Sequence, residues 1–145
     1  MTRINSGISV KKLTDEHLLA EHKEIARLPF YLKRSIKCGS IQNIPQEFCL
    51  GNGHVKFFLN KMAFILKRYK SIHKECLRRN FNVKNLSINW FDTPSKYNGD
   101  YTPTDKDKSI LHQRIMCRII ESKKPYWHYY GQRITKEKAI KLLID

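Results

Sequence analysis

Residues 54–80, HVKFFLNKMAFILKRYKSIHKECLRRN, are the stretch from which the fold can be read. Val55, Phe58, Met62, Ile65, Tyr69, Ile72 and Cys76 recur at alternating steps of three and four, the spacing that stacks side chains on one helical face. The spacing predicts one continuous core helix of about seven turns. Its other faces carry Lys56, Lys61, Lys67, Arg68, Lys70, Lys74, Arg78 and Arg79, eight cations against the single acid Glu75. Such a run is ordinarily a solvated face, but this imbalance also suits a surface that meets phosphate.

Helix signals continue on both sides of this stretch. Thr14-Asp15-Glu16 offers a capping hydroxyl and two acids for the positive end of a helix dipole, predicting a helix over 15–27. Pro29 marks a break or a new first turn, and Gly39 ends a second helix over 30–38. A loop over 40–53 follows, containing Pro45 and Gly51-Asn52-Gly53. Residues 80–104 read as irregular, with Pro94, Gly99 and Pro103. Thr104-Asp105-Lys106-Asp107 opens a helix to about residue 122, with Leu111, Ile115 and Ile119 on one face. An aromatic cluster, Tyr126-Trp127-His128-Tyr129-Tyr130-Gly131, precedes a short terminal helix capped by Thr135. Alternating strand patterns are nearly absent, so the expected architecture is an all-α single domain over 1–145 with a long central helix.

The 145 residues match the usual size of one domain, and 41% hydrophobic content suffices for a core. The longest apolar run, Met62-Ala63-Phe64-Ile65-Leu66, is far short of the roughly 20 residues of a spanning helix, which excludes an α-helical membrane protein. No secretory signal is visible at residues 1–7, so a cytoplasmic location is expected. Cys38, Cys49, Cys76 and Cys117 lack paired metal-ligand spacing and read as reduced thiols packed as small hydrophobes. The 28 Lys and Arg against 13 Asp and Glu, net +15, point to a polyanionic partner.

Against that charge, the predicted first helix is unusual: Asp15, Glu16, Glu21 and Glu24 crowd four of the thirteen acids into ten residues. Helical projection puts Leu18, His22, Ile25 and Ala26 on a core side. It puts His17, Glu21 and Glu24 within about 60° of one another on another side, flanked by Lys23 and Arg27. This strip reads either as a solvated, ion-paired face or as an active-site face, where a carboxylate among cations stabilises positive charge or moves a proton. The amino terminus is the second chemical feature. Thr2 is small enough for removal of Met1, and the resulting α-amine, with a reference pKa near 7.7–8, has a neutral nucleophilic fraction at physiological pH. Without corroboration the same residue reads as a frayed terminus.

Six blocks, in order, supply that corroboration. They are Met1-Thr2-Arg3-Ile4-Asn5; His17-Leu18-Leu19-Ala20-Glu21 with Glu24 and Arg27; Leu50-Gly51-Asn52-Gly53-His54-Val55-Lys56-Phe57-Phe58 with Lys61; Glu75-Cys76-Leu77; Gly99-Asp100-Tyr101-Thr102-Pro103; and Tyr129-Tyr130-Gly131. Together they resemble the pyrimidine-dimer DNA glycosylases, the phage endonuclease V group. The resemblance implies a small all-α, monomeric repair enzyme with no metal or organic cofactor, acting on double-stranded DNA that contains damaged pyrimidines. It implies Thr2 as the nucleophile and Glu24 as the essential glutamate. It implies Arg3, His17, Lys23 and Arg27 at the lesion, and Tyr126, Trp127, Tyr129 and Tyr130 in an aromatic segment that contacts DNA.

The chain also departs from the family pattern. His22-Lys23-Glu24-Ile25 stands where a known member reads Tyr-Arg-Glu-Leu, and Lys cannot make the planar bidentate contact of Arg. The aromatic cluster is compressed by about one residue, and residues 136–145 extend beyond the family motif. Gly51-Asn52-Gly53 reads as a turn into the helix or a phosphate contact, and His54 as a structural hydrogen-bonding residue or a DNA contact. The aromatic cluster fits either core packing or a nucleic-acid surface. The competing functions are a glycosylase for another modified or oxidised pyrimidine and a non-catalytic basic DNA-binding protein.

Overall fold

Short polar side chains start the helices close to where the sequence predicts them. The computed structural model describes residues 4–145. Thr14 Oγ1 accepts the His17 N–H at 3.3 Å and opens α1 (Asp15–Ile25). Pro29 falls in the first turn of α2 (Leu28–Cys38), where its missing N–H costs no helical bond, and Gly39 at φ 72° closes that helix.

The long helix predicted over 54–80 is two helices, α3 (His54–Phe58) and α4 (Met62–Arg78). The break is imposed from a distant loop. The Gly99 N–H donates to the Asn60 carbonyl at 3.2 Å, and the Gly99 carbonyl accepts from Ala63 and Phe64, which caps the first turn of α4. A Cβ on residue 99 would lie 2.5 Å from the Asn60 oxygen, so only glycine admits this crossing. Periodicity conceals the break because Phe58 and Met62 remain four residues apart across it.

Thr104 and Asp107 form a reciprocal capping box at the start of α5 (Asp105–Glu121). The aromatic cluster then forms an antiparallel hairpin, β1 (Trp127–Tyr129) and β2 (Gln132–Ile134), with Trp127 opposite Ile134. Its loop residues Tyr130 and Gly131 have φ of 52° and 77°, the left-handed pair that a two-residue hairpin turn requires. Thr135 caps α6 (Lys136–Ile144).

The core forms where α4 meets its neighbours. Ile65, Tyr69, Ile72 and Cys76 of α4 are fully buried with Leu18 and Ile25 of α1 and with Leu111, Ile115 and Ile119 of α5. Each buried aliphatic contributes about 1.5–3 kcal/mol relative to exposure. α6 adds Ala139 and Leu143 to this core, so the last ten residues carry part of the packing. The expectation of four buried thiols holds for Cys76 alone, since Cys49 is half-buried and Cys38 and Cys117 are exposed. No described helix is long and apolar enough to cross a membrane.

The basic face read over 54–80 also needs correction. Arg68 and Arg79, two of the eight cations of that stretch, are buried in ion pairs, and Glu75 is fully buried. The surface left for phosphate is narrower than the sequence count implies.

Candidate active site

Two separate anchors hold Ile4 and Asn5, one on α1 and one at the start of α3. Asn5 Nδ2 donates to Glu21 Oε1 at 3.0 Å, and Arg68 of α4 grips the same carboxylate through Nε at 2.8 Å and Nη2 at 3.1 Å. Glu21 is 1% exposed, so it is a buried structural anion and not part of a solvated strip. A buried carboxylate is tolerated only when paired and hydrogen-bonded, a condition Arg68 and Asn5 meet. Arg114 of α5 closes the arrangement, donating from Nη2 to Asn5 Oδ1 at 3.1 Å. The second anchor is His54, whose Nε2 stands 3.1 Å from the Ile4 N–H.

The first turn of α1 is occupied differently. Asp15 accepts the Tyr130 and Gly131 N–H groups at 3.1 and 2.8 Å and pairs with Arg79 at 2.9 Å. Glu16 accepts the His128 N–H at 3.0 Å and meets Lys124 Nζ at 3.2 Å. Burial pushes the Glu16 carboxyl up, but hydrogen bonds from its own backbone, from His128 and from Lys124 outweigh it and hold the group below its ordinary range. His17 stacks on Trp127 with ring centroids 5.0 Å apart, and its Nδ1 lies 2.9 Å from Thr14 Oγ1. The hairpin is therefore docked by three consecutive residues at one end of α1.

Among the expected site residues, Thr2 and Arg3 lie outside the described residues. His17 is buried against the hairpin, Glu24 is half-buried, and Lys23 and Arg27 are exposed on the later turns of α1. Trp127 is buried, and Tyr129 donates its hydroxyl to the Lys11 carbonyl at 2.9 Å. Tyr130 is 41% exposed and its hydroxyl donates to Glu75 Oε1 at 2.8 Å, a bond that raises its pKa. Arg79 lies over both rings, 4.7 Å from the Tyr129 centroid and 4.8 Å from that of Tyr130. Tyr126 is half-buried under the Arg133 guanidinium at 4.3 Å. The aromatic cluster is thus both core and surface: Trp127 packs inward while Tyr126 and Tyr130 keep exposed area.

Sequence reasoning missed Asn5, Arg68, Arg79 and Arg114. Apart from Glu75, 3.8 Å from Arg79, the groups their side chains meet lie 16 to 110 positions away, beyond any local pattern. For Asp15 and Glu16 the helix-dipole reading was true but incomplete, since each also holds the hairpin.

The described residues place a half-buried carboxylate, Glu24, between the exposed cations Lys23 and Arg27 at one end of α1 in a strongly basic chain. The model of one protein family, described as pyrimidine dimer DNA glycosylase, matches residues 1–89, which contain the amino-terminal segment and α1 to α4. That match spans more than half of the 145 residues, and the chain belongs to the pyrimidine dimer DNA glycosylases, repair enzymes whose substrate is DNA.

Proposed function

We propose that the protein is an N-glycosylase and apurinic/apyrimidinic lyase for ultraviolet-induced cyclobutane pyrimidine dimers in duplex DNA, acting through the α-amine of Thr2 once Met1 is removed. The observation that supports this most is the anchoring of Ile4 and Asn5. It ties the chain to His54 two residues after Thr2, and three residues after it to Glu21, about one helical turn before Glu24.

The neutral amine attacks C1′ of the deoxyribose, the glycosidic bond breaks, and the departing base takes the electron pair and a proton. Loss of the amine proton and opening of the sugar leave an imine. Removal of a C2′ proton then expels the 3′ phosphate by breaking the C3′–O bond, and water releases the amine. Glu24 acts first as the anion beside the oxocarbenium-like sugar and then as the proton acceptor. Arg3, Lys23 and Arg27 hold phosphates at the lesion. A dimer step is poorly stacked, so it costs least to open. Tyr126 and Tyr130 offer the exposed parts of their rings to the strand, and the stack of His17 on Trp127 docks the hairpin against α1.

Borohydride trapping on duplexes bearing a cyclobutane dimer, an oxidised pyrimidine, an abasic site or no damage tests this reading. The expected result is an intact mass lacking one Met, with dimer DNA linked to Thr2. Linkage to an internal lysine would overturn the nucleophile. Cleavage of the oxidised base but not of the dimer would move the substrate to another pyrimidine lesion, and cleavage of the abasic site alone would leave a lyase.

A further inference from the structure

His54 is buried to 2% exposure between the edges of Phe48 and Phe58, with ring centroids 5.6 and 5.4 Å away. Its two nitrogens have opposite partners. Nδ1 stands 3.0 Å from the Cys49 carbonyl, which can only accept, so Nδ1 carries the proton. Nε2 is then a lone-pair acceptor, and the Ile4 N–H donates to it at 3.1 Å. One neutral tautomer satisfies both bonds, and a doubly protonated ring would lose the second.

Burial, followed by the charge of Arg114, lowers the His54 pKa to about 4 against smaller opposing effects of the Cys49 bond and Glu21, so the acceptor persists at neutral pH. The ring is aimed by the turn before it. A Cβ on Gly53 would meet Cys49 Sγ at 2.7 Å, so the chain from Cys49 to His54 winds too tightly for a side chain there.

We propose that His54 is a positioning residue for the Thr2 amine: by accepting the Ile4 N–H, it fixes the backbone two residues from that amine, next to Asn5, which is held by Glu21 of α1. This rests on the proposed role of Thr2. Ile4 is two residues from that amine, a reach of at most about 7 Å. The Asn5 contacts hold a side chain, whereas His54 holds the backbone N–H of Ile4, and Arg114 donates to the Ile4 carbonyl at 3.4 Å. A displacement of about 1 Å at a nucleophile can cost on the order of 100-fold in rate, so an anchor this close governs chemistry more than binding.

The test compares His54→Asn with His54→Gln. Asn has a polar group at the place of Nδ1 and can keep the Cys49 bond, but it is too short to reach the Ile4 N–H. Gln carries its carbonyl oxygen one methylene further, to the place of Nε2. Each variant is compared with the wild type in single-turnover borohydride trapping on a dimer duplex, with half-saturating concentration, binding to undamaged duplex and thermal unfolding measured alongside.

The expected outcome is that His54→Asn loses about tenfold or more of the saturating trapping rate while half-saturation and undamaged-DNA binding stay within about twofold. His54→Gln should recover most of that rate. Two folded variants with equal rates, both fast or both slow, would overturn the proposal, because the acceptor at the Nε2 position would then not matter. Wild-type protein that traps DNA at a residue other than Thr2 would instead overturn the reading on which the proposal rests.

Discussion

The two ends of α1 carry the same residue types and use them in opposite ways. At the first turn, Asp15 and Glu16 are taken up by backbone N–H groups, Arg79 and Lys124, and His17 lies under Trp127. At the later turns Glu21 is sealed in by Arg68 and Asn5, while Glu24 remains half-buried between exposed Lys23 and Arg27. A carboxylate on a DNA-facing surface repels phosphate and so weakens the attraction that a net charge of +15 provides. Asp15, Glu16 and Glu21 hold other parts of the chain in place. In the proposed reaction Glu24 is the acid of α1 with a chemical use, which would divide the acids of one helix into two populations.

The largest effect that would sharpen this division is at Glu21. Glu21→Ala leaves the Arg68 guanidinium buried without its carboxylate, which costs on the order of 3–5 kcal/mol and should appear as a large fall in the urea midpoint. Glu24→Gln should do the reverse. Base release should drop at least about a hundredfold, close to 2.7 kcal/mol of barrier, while the unfolding midpoint falls far less than in Glu21→Ala. Dimer cleavage by Glu24→Gln at near wild-type rate would make Glu24 a surface charge and erase the contrast.

What was legible in the sequence follows the range of each interaction. Thr14, Gly39, Thr104 and Thr135 bound helices through contacts within a few residues, and those boundaries were visible in residue types alone. The break between α3 and α4 was not, because it is made by Gly99, 39 positions after Asn60. The hairpin escaped because three-residue strands are too short for alternation, and Tyr130 takes a left-handed turn position usually held by Asn, Asp or Gly. Of the candidate site, Thr2 and Glu24 acquired roles only through family resemblance, since neither a small second residue nor one glutamate among cations is specific. His54 was an open choice until Ile4 and Cys49 were seen at its two nitrogens.

A smaller effect probes the same anchor through pH. The folded-state pKa of His54 is lowered to about 4 against 6.5 for the free side chain. Its stabilising contribution is therefore complete above pH 6.5 and is lost as pH falls toward 4, because the unfolded chain takes up the proton first. By pH 5 the loss is about 2 kcal/mol. The stability of His54→Gln relative to wild type should improve by that amount between pH 7 and pH 5 in urea titrations. Parallel profiles for the two proteins would mean that the ring is not held neutral by its surroundings.

The smallest effect belongs to Glu16, the acid most open to compensation. Its carboxylate side chain is 24% exposed and its cationic partner Lys124 is 48% exposed, so solvent screens the pair and leaves at most about 1 kcal/mol. Glu16→Gln can still accept the His128 N–H and loses mainly the charge. The Glu16 carboxyl is held below its ordinary range, so its contribution is present above the unfolded pKa and fades as pH falls through the folded one. The variant should melt no more than a few degrees below wild type at neutral pH and low salt, and the gap should shrink in added salt or in acid. Dimer cleavage should stay within a few-fold of wild type, because Asp15 still holds Tyr130 and Gly131. A hundredfold loss of cleavage in Glu16→Gln, matching that expected of Glu24→Gln, would mean that the docking end of α1 takes part in the chemistry and that the two ends are one site.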